Sequence, residues 1–328
     1  VGGGGGFGVI IKDQKTTIKR ELSRDERLVT SFLGIEMASP VLSASGCYGY
    51  GREFDKFYDL RLLGAVVVKG ITLKPRQGNP GRRLIETPAG LINSIGLENP
   101  GVDGFIAEEL PFLRERGVPV IVNISGNTAE EYAELADRLD GVPGVSMLEV
   151  NISCPNVKQG GMAFGATCEM ASGVTRLVRR HTTLPLAVKL SPNVTDIASI
   201  AQSVEAEGAD CISLINTLLG MAIDIEAKRP VLRNNFGGLS GPAIKPIALR
   251  MVWQVAGAVK VPIIGMGGIS TWQDAAEFIL AGAACVAVGT ANFVNPLAIP
   301  EICDGLKEYA TKQGVGNIQE LVGAARKK

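Results

Sequence analysis

The chain has 328 residues, 46% of them apolar and 20% charged, enough to bury a sizeable core in one large or two medium domains. Lys and Arg together number 33, as do Asp and Glu, which argues against a nucleic-acid footprint or a basic membrane-binding face. Six scattered cysteines without a C-x-x-C pair, and one histidine, argue against a zinc or non-haem iron site, so no metal is expected. No apolar run reaches ~18 residues and no signal-peptide pattern opens the chain, so a reduced cytoplasmic enzyme is the default expectation.

Residues 1–28 stand apart. VGGGGGFG is low-complexity sequence, and the polar run KDQKTTIKRELSRDER has no clear apolar face. No G-K-[ST] follows the glycines, so a P-loop is unsupported. The segment reads as a flexible extension, with the folded domain at 29–328.

From Phe32 the pattern is regular. A short apolar run at 40–46 precedes a helix-spaced segment at 52–64 and a buried strand at 65–70. Residues 71–99 form a long connection rich in Gly, Pro and Arg. It holds the polar cluster Asn93-Ser94-Ile95-Gly96-Leu97-Glu98-Asn99, and connections of this length are usually functional. The spacing then predicts a helix within 101–116, a strand at 118–126, and a helix at 128–139 with Thr128 as cap and Glu131 three residues on. A strand follows from Met147, then a helix around 168–181, a strand at 184–193, and a helix from Asp196 to Glu207 closed by Gly208. A strand at 210–217 leads into a Gly-rich excursion to about 242. The helix 243–259, strand 261–268, helix 271–281, strand 285–290 and a last helix complete the chain. Eight buried strands, most followed by a helix, predict parallel crossovers closing into a (β/α)₈ TIM barrel. A doubly wound open sheet would not need eight similar units. No G-x-G-x-x-G follows the first strand, so a dinucleotide site is unsupported.

In such a barrel chemistry sits at the C-terminal ends of the strands. Here those ends carry Ser45-Gly46, Lys69, Asn123, Asn151, Lys189, Asn216-Thr217, Gly267-Gly268 and Gly289-Thr290. The last two pairs offer bare backbone N–H groups, which suits a phosphate after strands seven and eight. A phosphate, two lysines and several amides suggest a flavin mononucleotide or a sugar phosphate. The fourth strand runs on into NISCPNVKQGG, a loop with two amides, a hydroxyl, the Cys154 thiol and a proline that fixes the backbone. A thiol so placed suits proton transfer on a polar, planar substrate; the plainer reading is a small buried cysteine beside a turn.

At this point the motifs resemble a family. ASGCYGYGREF (44–54), VVKGITLKPRQGNP (67–80), LINSIGLENPG (91–101), NISCPNVKQGG (151–161), VKLSPNVTDI (188–197), INTLLGMAID (215–224), GGLSGPAIKP (237–246), GMGGI (265–269) and AVGTANF (287–293) are similar to class 1 dihydroorotate dehydrogenases. The form most resembled is class 1B, linked to NAD through a second subunit. The resemblance covers the chain from about Ser31 onward. It implies FMN-dependent oxidation of dihydroorotate to orotate in pyrimidine synthesis, with Cys154 as general base. It implies substrate contacts at Lys69, Asn93, Ser94, Ile95, Gly96, Leu97, Asn151, Asn156, Asn216 and Thr217. FMN, one per chain, is then held by Ala44, Ser45, Lys69, Gly70, Asn123, Asn151, Lys189, Ile215, Gly241, Gly267, Gly268, Gly289 and Thr290. Gly70 departs from relatives that often carry Ala or Ser. The resemblance also implies a dimer of barrels and an electron-transfer subunit holding FAD and an iron–sulfur cluster. Alternatives are a dihydropyrimidine dehydrogenase-like reductase, although Asn156 stands where that family tends to have histidine, and the fumarate-linked class 1A.

Overall fold

The computed structural model describes residues 25–153 and 164–327. Eight short parallel strands form the central sheet: β1 (Val41–Ser43), β2 (Val66–Val67), β3 (Val120–Ile124), β4 (Met147–Asn151), β5 (Leu186–Lys189), β6 (Cys211–Leu214), β7 (Ile263–Met266) and β8 (Cys285–Val288). Their order is β1-β8-β7-β6-β5-β4-β3-β2. The remaining seam between β1 and β2 is bridged by Ser43. Its amide donates to the Ala65 carbonyl at 3.3 Å, and its Oγ accepts from the Val67 amide at 2.9 Å. A serine thus stands in for a ladder partner and completes the predicted (β/α)₈ barrel.

Among the described residues, seven helices of seven residues or more follow strands β2 to β8: α1 (Leu110–Arg116), α2 (Ala129–Leu139), α3 (Cys168–Arg179), α4 (Ile197–Ala206), α5 (Lys245–Ala256), α6 (Trp272–Ala281) and α7 (Ala298–Gln313). A helical turn at Gly101–Gly104 and a π turn at Phe105–Glu109 run into α1. The helix-spaced segment at 52–64 is not one helix but two single 3₁₀ turns, Phe54–Lys56 and Leu60–Leu62. Asp59 between them is extended, and its carboxylate captures the Arg61 amide, so the first turn cannot propagate. Thr128 does cap α2, accepting from the Glu131 amide. The Glu131 carboxylate, however, accepts from the Asn127 amide at 2.6 Å, one residue ahead of the cap.

Strand parity divides the core in two. Val120, Val122 and Ile124 face the helices, whereas Ile121 joins Leu42, Val67, Met147, Ala187 and Ile264 inside the barrel. Each fully buried side chain of this kind contributes roughly 1.5–3 kcal/mol relative to exposure. The hairpin Thr30–Phe32/Ile35–Met37 sends Phe32 and Met37 into the interior cluster beneath the strands. Residues 25–28, assigned to the extension on sequence grounds, pack at this same end. Leu28 is buried, the Arg27 carbonyl accepts from the Ile318 amide, and Asp25 pairs with the Arg27 and Lys307 side chains.

The two long connections do not stay irregular. Leu84–Thr87 and Gly90–Asn93, after β2, pair with Leu218–Met221 and Phe236–Ser240, after β6, in one four-stranded antiparallel sheet. Both connections leave the C-terminal ends of their strands, so this sheet lies at the barrel mouth. No described helix is long and apolar enough to cross a membrane.

Candidate active site

Parity carries Asn123, Glu149, Lys189 and Ser213 to the barrel interior, one layer above Ile121, Met147, Ala187 and Cys211. Asn123 and Ser213 are fully buried, Glu149 is 1% exposed and Lys189 is 4% exposed. Three of these four form a connected line. Asn123 Nδ2 donates to Glu149 Oε2 at 2.6 Å, Lys189 Nζ lies 3.8 Å from the same oxygen, and Lys189 Nζ donates to Ser45 Oγ at 3.0 Å. A carboxylate only accepts, so the Asn123 amide must turn its NH₂ toward Glu149. Its Oδ1 is then left buried without a partner among the described residues. Gly70 abuts this atom: a Cβ there would stand 2.9 Å from Asn123 Oδ1 and 3.3 Å from Leu97.

A second group gathers at the ends of β6, β7 and β8. A Cβ on Gly267 would stand 3.2 Å from Ile215, and one on Gly268 would stand 2.9 Å from the Gly241 carbonyl and 2.8 Å from the Lys245 amide. Gly241, Gly267 and Gly268 all have positive φ (98°, 121° and 78°), where a side chain is strained in any case. Thr290 donates its hydroxyl to Ser240 at 2.8 Å, while a Cβ on Gly289 would meet Ala44 and Cys47 at 3.4 Å each. The peptide between Leu214 and Ile215 is cis. The absent Cβ atoms let the ends of β6, β7 and β8 pack closely into a glycine cradle, and backbone amides in such turns can bind an anion.

The third group is amide-rich. Asn216 Nδ2 donates to Asn151 Oδ1 at 3.2 Å, and the Asn151 carbonyl accepts from Tyr132. Asn93 Nδ2 donates to the Gly238 carbonyl at 3.0 Å, and Gly238 is packed on Thr217, so the antiparallel sheet brings Asn93 to Asn216-Thr217. Asn193 holds this loop, donating to the Thr217 carbonyl at 3.0 Å and accepting from the Leu219 amide. Ser94, Ile95 and Gly96 are engaged differently. They wrap Asn79, whose Nδ2 donates to Ser94 and whose amide donates to the Ile95 carbonyl. A Cβ on Gly96 would strike Asn79 at 2.6 Å.

Lys69 lines a cavity of about 470 Å³ with Tyr50, Arg76, Gln77, Glu98, Asn99 and Pro100. Burial pulls its ammonium below the ordinary lysine range, with Glu98 opposing and Arg83 adding to the shift. The Cys47 thiol, near both lysines, is pushed by burial up to about 11 and stays protonated at neutral pH. Another cavity of about 430 Å³ lies at the opposite end, lined by residues including Asp25, Leu28 and Lys307, remote from these groups. Cys154 and Asn156 lie outside the described residues. Glu149, Asn193, Tyr132 and Asn79 were not singled out from sequence. The one available signal was an acidic residue in the middle of the apolar strand MLEVN.

Residues 27–309 match the dihydroorotate dehydrogenase family. The chain belongs to that family. Among its relatives, the dihydroorotate dehydrogenase B (NAD(+)) catalytic subunit of Desulforamulus reducens is 61% identical over 291 residues, 89% of this chain and 96% of that protein. The catalytic subunits of the same description from Geotalea daltonii and Desulforudis audaxviator are each 57% identical, covering 89% and 92% of this chain and 96% and 98% of their own lengths. The resemblance to dihydroorotate dehydrogenases of class 1B is thereby borne out, as is the barrel. The chain is an oxidoreductase of the dihydroorotate dehydrogenase type.

Proposed function

We propose that the chain is a single FMN-binding barrel, from about residue 25, that oxidises dihydroorotate to orotate in pyrimidine synthesis. The observation that carries this reading is the meeting, at one end of the barrel, of the Lys189–Glu149–Asn123 line with the cradle of Gly241, Gly267 and Gly268. The residues present fit a flavin nucleotide. Asn123 Oδ1, buried and without a partner among the described residues, offers an acceptor for a ring N–H, and the cradle offers backbone donors without side chains for a phosphate. Ala44, Ser45, Gly70, Ile215, Gly289 and Thr290 complete the lining on this reading.

Bound FMN supplies acceptance of the hydride that leaves C6 of the substrate. The chain's own residues supply the rest. Cys154 removes the proton from C5; a thiol, with a reference pKa near 8.5, is basic enough as thiolate and acidic enough to form one near neutrality. Asn93, Asn151, Asn156, Asn216 and Thr217 orient the ring amides and carboxylate, and the Lys69 ammonium balances the substrate's charge. Ser94, Ile95, Gly96 and Leu97 shape the loop beside them.

The same reading places a partner outside the chain. The words "catalytic subunit" in the relatives' names support an electron-transfer subunit, which we take to hold FAD and an iron–sulfur cluster and to pass electrons to NAD⁺. A contact between barrels is supported by the exposed apolar row Leu219, Met221, Ile223 and Ile225. Free thiols at all five described cysteines suit the cytoplasm. Turnover by the isolated chain tests the assignment. Dihydroorotate should reduce an artificial dye but not NAD⁺, and uracil and fumarate should be poor acceptors. Efficient NAD⁺ reduction by the chain alone would remove the need for a partner, and preference for fumarate would favour the class 1A alternative.

A further inference from the structure

We propose that Glu149 is a positioning residue for the flavin, a buried carboxylate that orients the Asn123 amide and the Lys189 ammonium toward it and lowers its reduction potential. This rests on the reading of the barrel mouth as an FMN site. Glu149 is the third residue of β4 and points into the barrel, where the layer below is apolar. Packing alone gives no reason for a carboxylate there. A buried ion pair is generally no more stabilising than apolar side chains of similar volume, because both charges must be desolvated. The geometry gives another reason.

One oxygen, Oε2, serves two neighbours, Asn123 Nδ2 at 2.6 Å and Lys189 Nζ at 3.8 Å. The first contact fixes which end of the amide faces the mouth. With NH₂ held by the carboxylate, the acceptor Oδ1 is the end left over, buried and without a partner among the described residues. The second contact balances the lysine, whose remaining bond to Ser45 Oγ reaches across to the end of β1. A negative charge in a low-dielectric interior opposes the arrival of electrons nearby, and its loss would leave Lys189 uncompensated. Both effects act in one direction: without the carboxylate the flavin becomes easier to reduce.

The full chain and two variants test this. The parent's visible flavin absorption comes first, and a parent without flavin would overturn the functional reading and this inference with it. Glu149→Gln should retain FMN, with a midpoint potential more positive than the parent's. Glu149→Asp keeps the charge but is one methylene short of Asn123. Its potential should stay nearer the parent's, while its FMN dissociation constant rises roughly tenfold through the weakened charged hydrogen bond. A merely structural carboxylate would leave the potential unmoved, so a Gln variant with the parent's potential overturns the proposal. Should the Gln variant not fold, the Asp variant decides alone, because parent-like FMN affinity there would show that the reach to Asn123 is immaterial.

Discussion

The Tyr132 hydroxyl of α2 donates to the Asn151 carbonyl at 2.7 Å, while its ring meets Phe164 edge-on at 5.8 Å. One buried tyrosine therefore touches the chain just before and just after residues 154–163. The Gly165 amide adds a bond to the Ile152 carbonyl at 2.8 Å, so the chain leaves and returns at one point. Tyr132→Phe keeps the ring contact and leaves the Asn151 carbonyl without this donor, at a cost of about 1 kcal/mol. Urea denaturation should show that loss without a change of slope. An unchanged midpoint would mean that the hydroxyl contributes nothing net.

Cys154→Ala should keep its FMN and lose turnover, because the thiol is on a loop whereas the flavin contacts proposed here are on strand ends. Removal of a general base typically lowers a rate by about 10²–10⁴-fold. Cys154→Ser should be intermediate at best, since a hydroxyl is far less acidic than a thiol. Anaerobic flavin reduction followed by stopped flow checks both. Alanine as fast as the parent would acquit the thiol.

Gly268→Ala addresses the cradle. The backbone there has φ of 78°, and the added carbon would meet the Lys245 amide at 2.8 Å and the Gly241 carbonyl at 2.9 Å. Neither backbone group can swing aside as a side chain can. The variant should be purified with little or no flavin, read as the ratio of visible to protein absorbance. Full flavin content in a folded Gly268→Ala protein would remove the cradle from the account.

Lys69 gives a pH dependence with a definite sign. Burial lowers its pKa and Glu98 raises it, so its charge is lost on the alkaline side at a pH below that of a free lysine. Binding of orotate, read by perturbation of the flavin spectrum, should weaken along that limb. Glu98→Gln removes the carboxylate that raises the pKa and leaves the charge of Arg83, its 2.5 Å partner, uncompensated, which also lowers it. The limb should therefore move to lower pH. A shift to higher pH, or none, would take Lys69 out of the binding of the anion.

The barrel was legible in the chain because its evidence is periodic. AVVVKG, VPVIVNISG and VPIIGMGG announce buried strands, and Thr128 does cap the helix it precedes. The mouth was legible only in part. Lys189 and Asn123 stood out as polar strand ends, but Glu149 is a mid-strand residue whose partners lie 26 and 40 positions away in either direction. Sequence spacing cannot show that one carboxylate oxygen serves both. The antiparallel sheet was missed for a related reason. Its strands come from two connections more than a hundred residues apart, and glycines at 220, 237 and 238 weaken the alternation by which a strand is recognised. The segment at 52–64 misled because helical spacing was present while Asp59, a residue that competes for backbone amides, was overlooked.

The most direct test is the absorption spectrum of the purified full chain, recorded anaerobically before and after addition of dihydroorotate. The account predicts a flavin spectrum, with one FMN released per chain on denaturation, whose visible band bleaches when dihydroorotate is added and returns with oxygen. A chain without flavin, or with a flavin that dithionite bleaches and dihydroorotate leaves untouched, would contradict it.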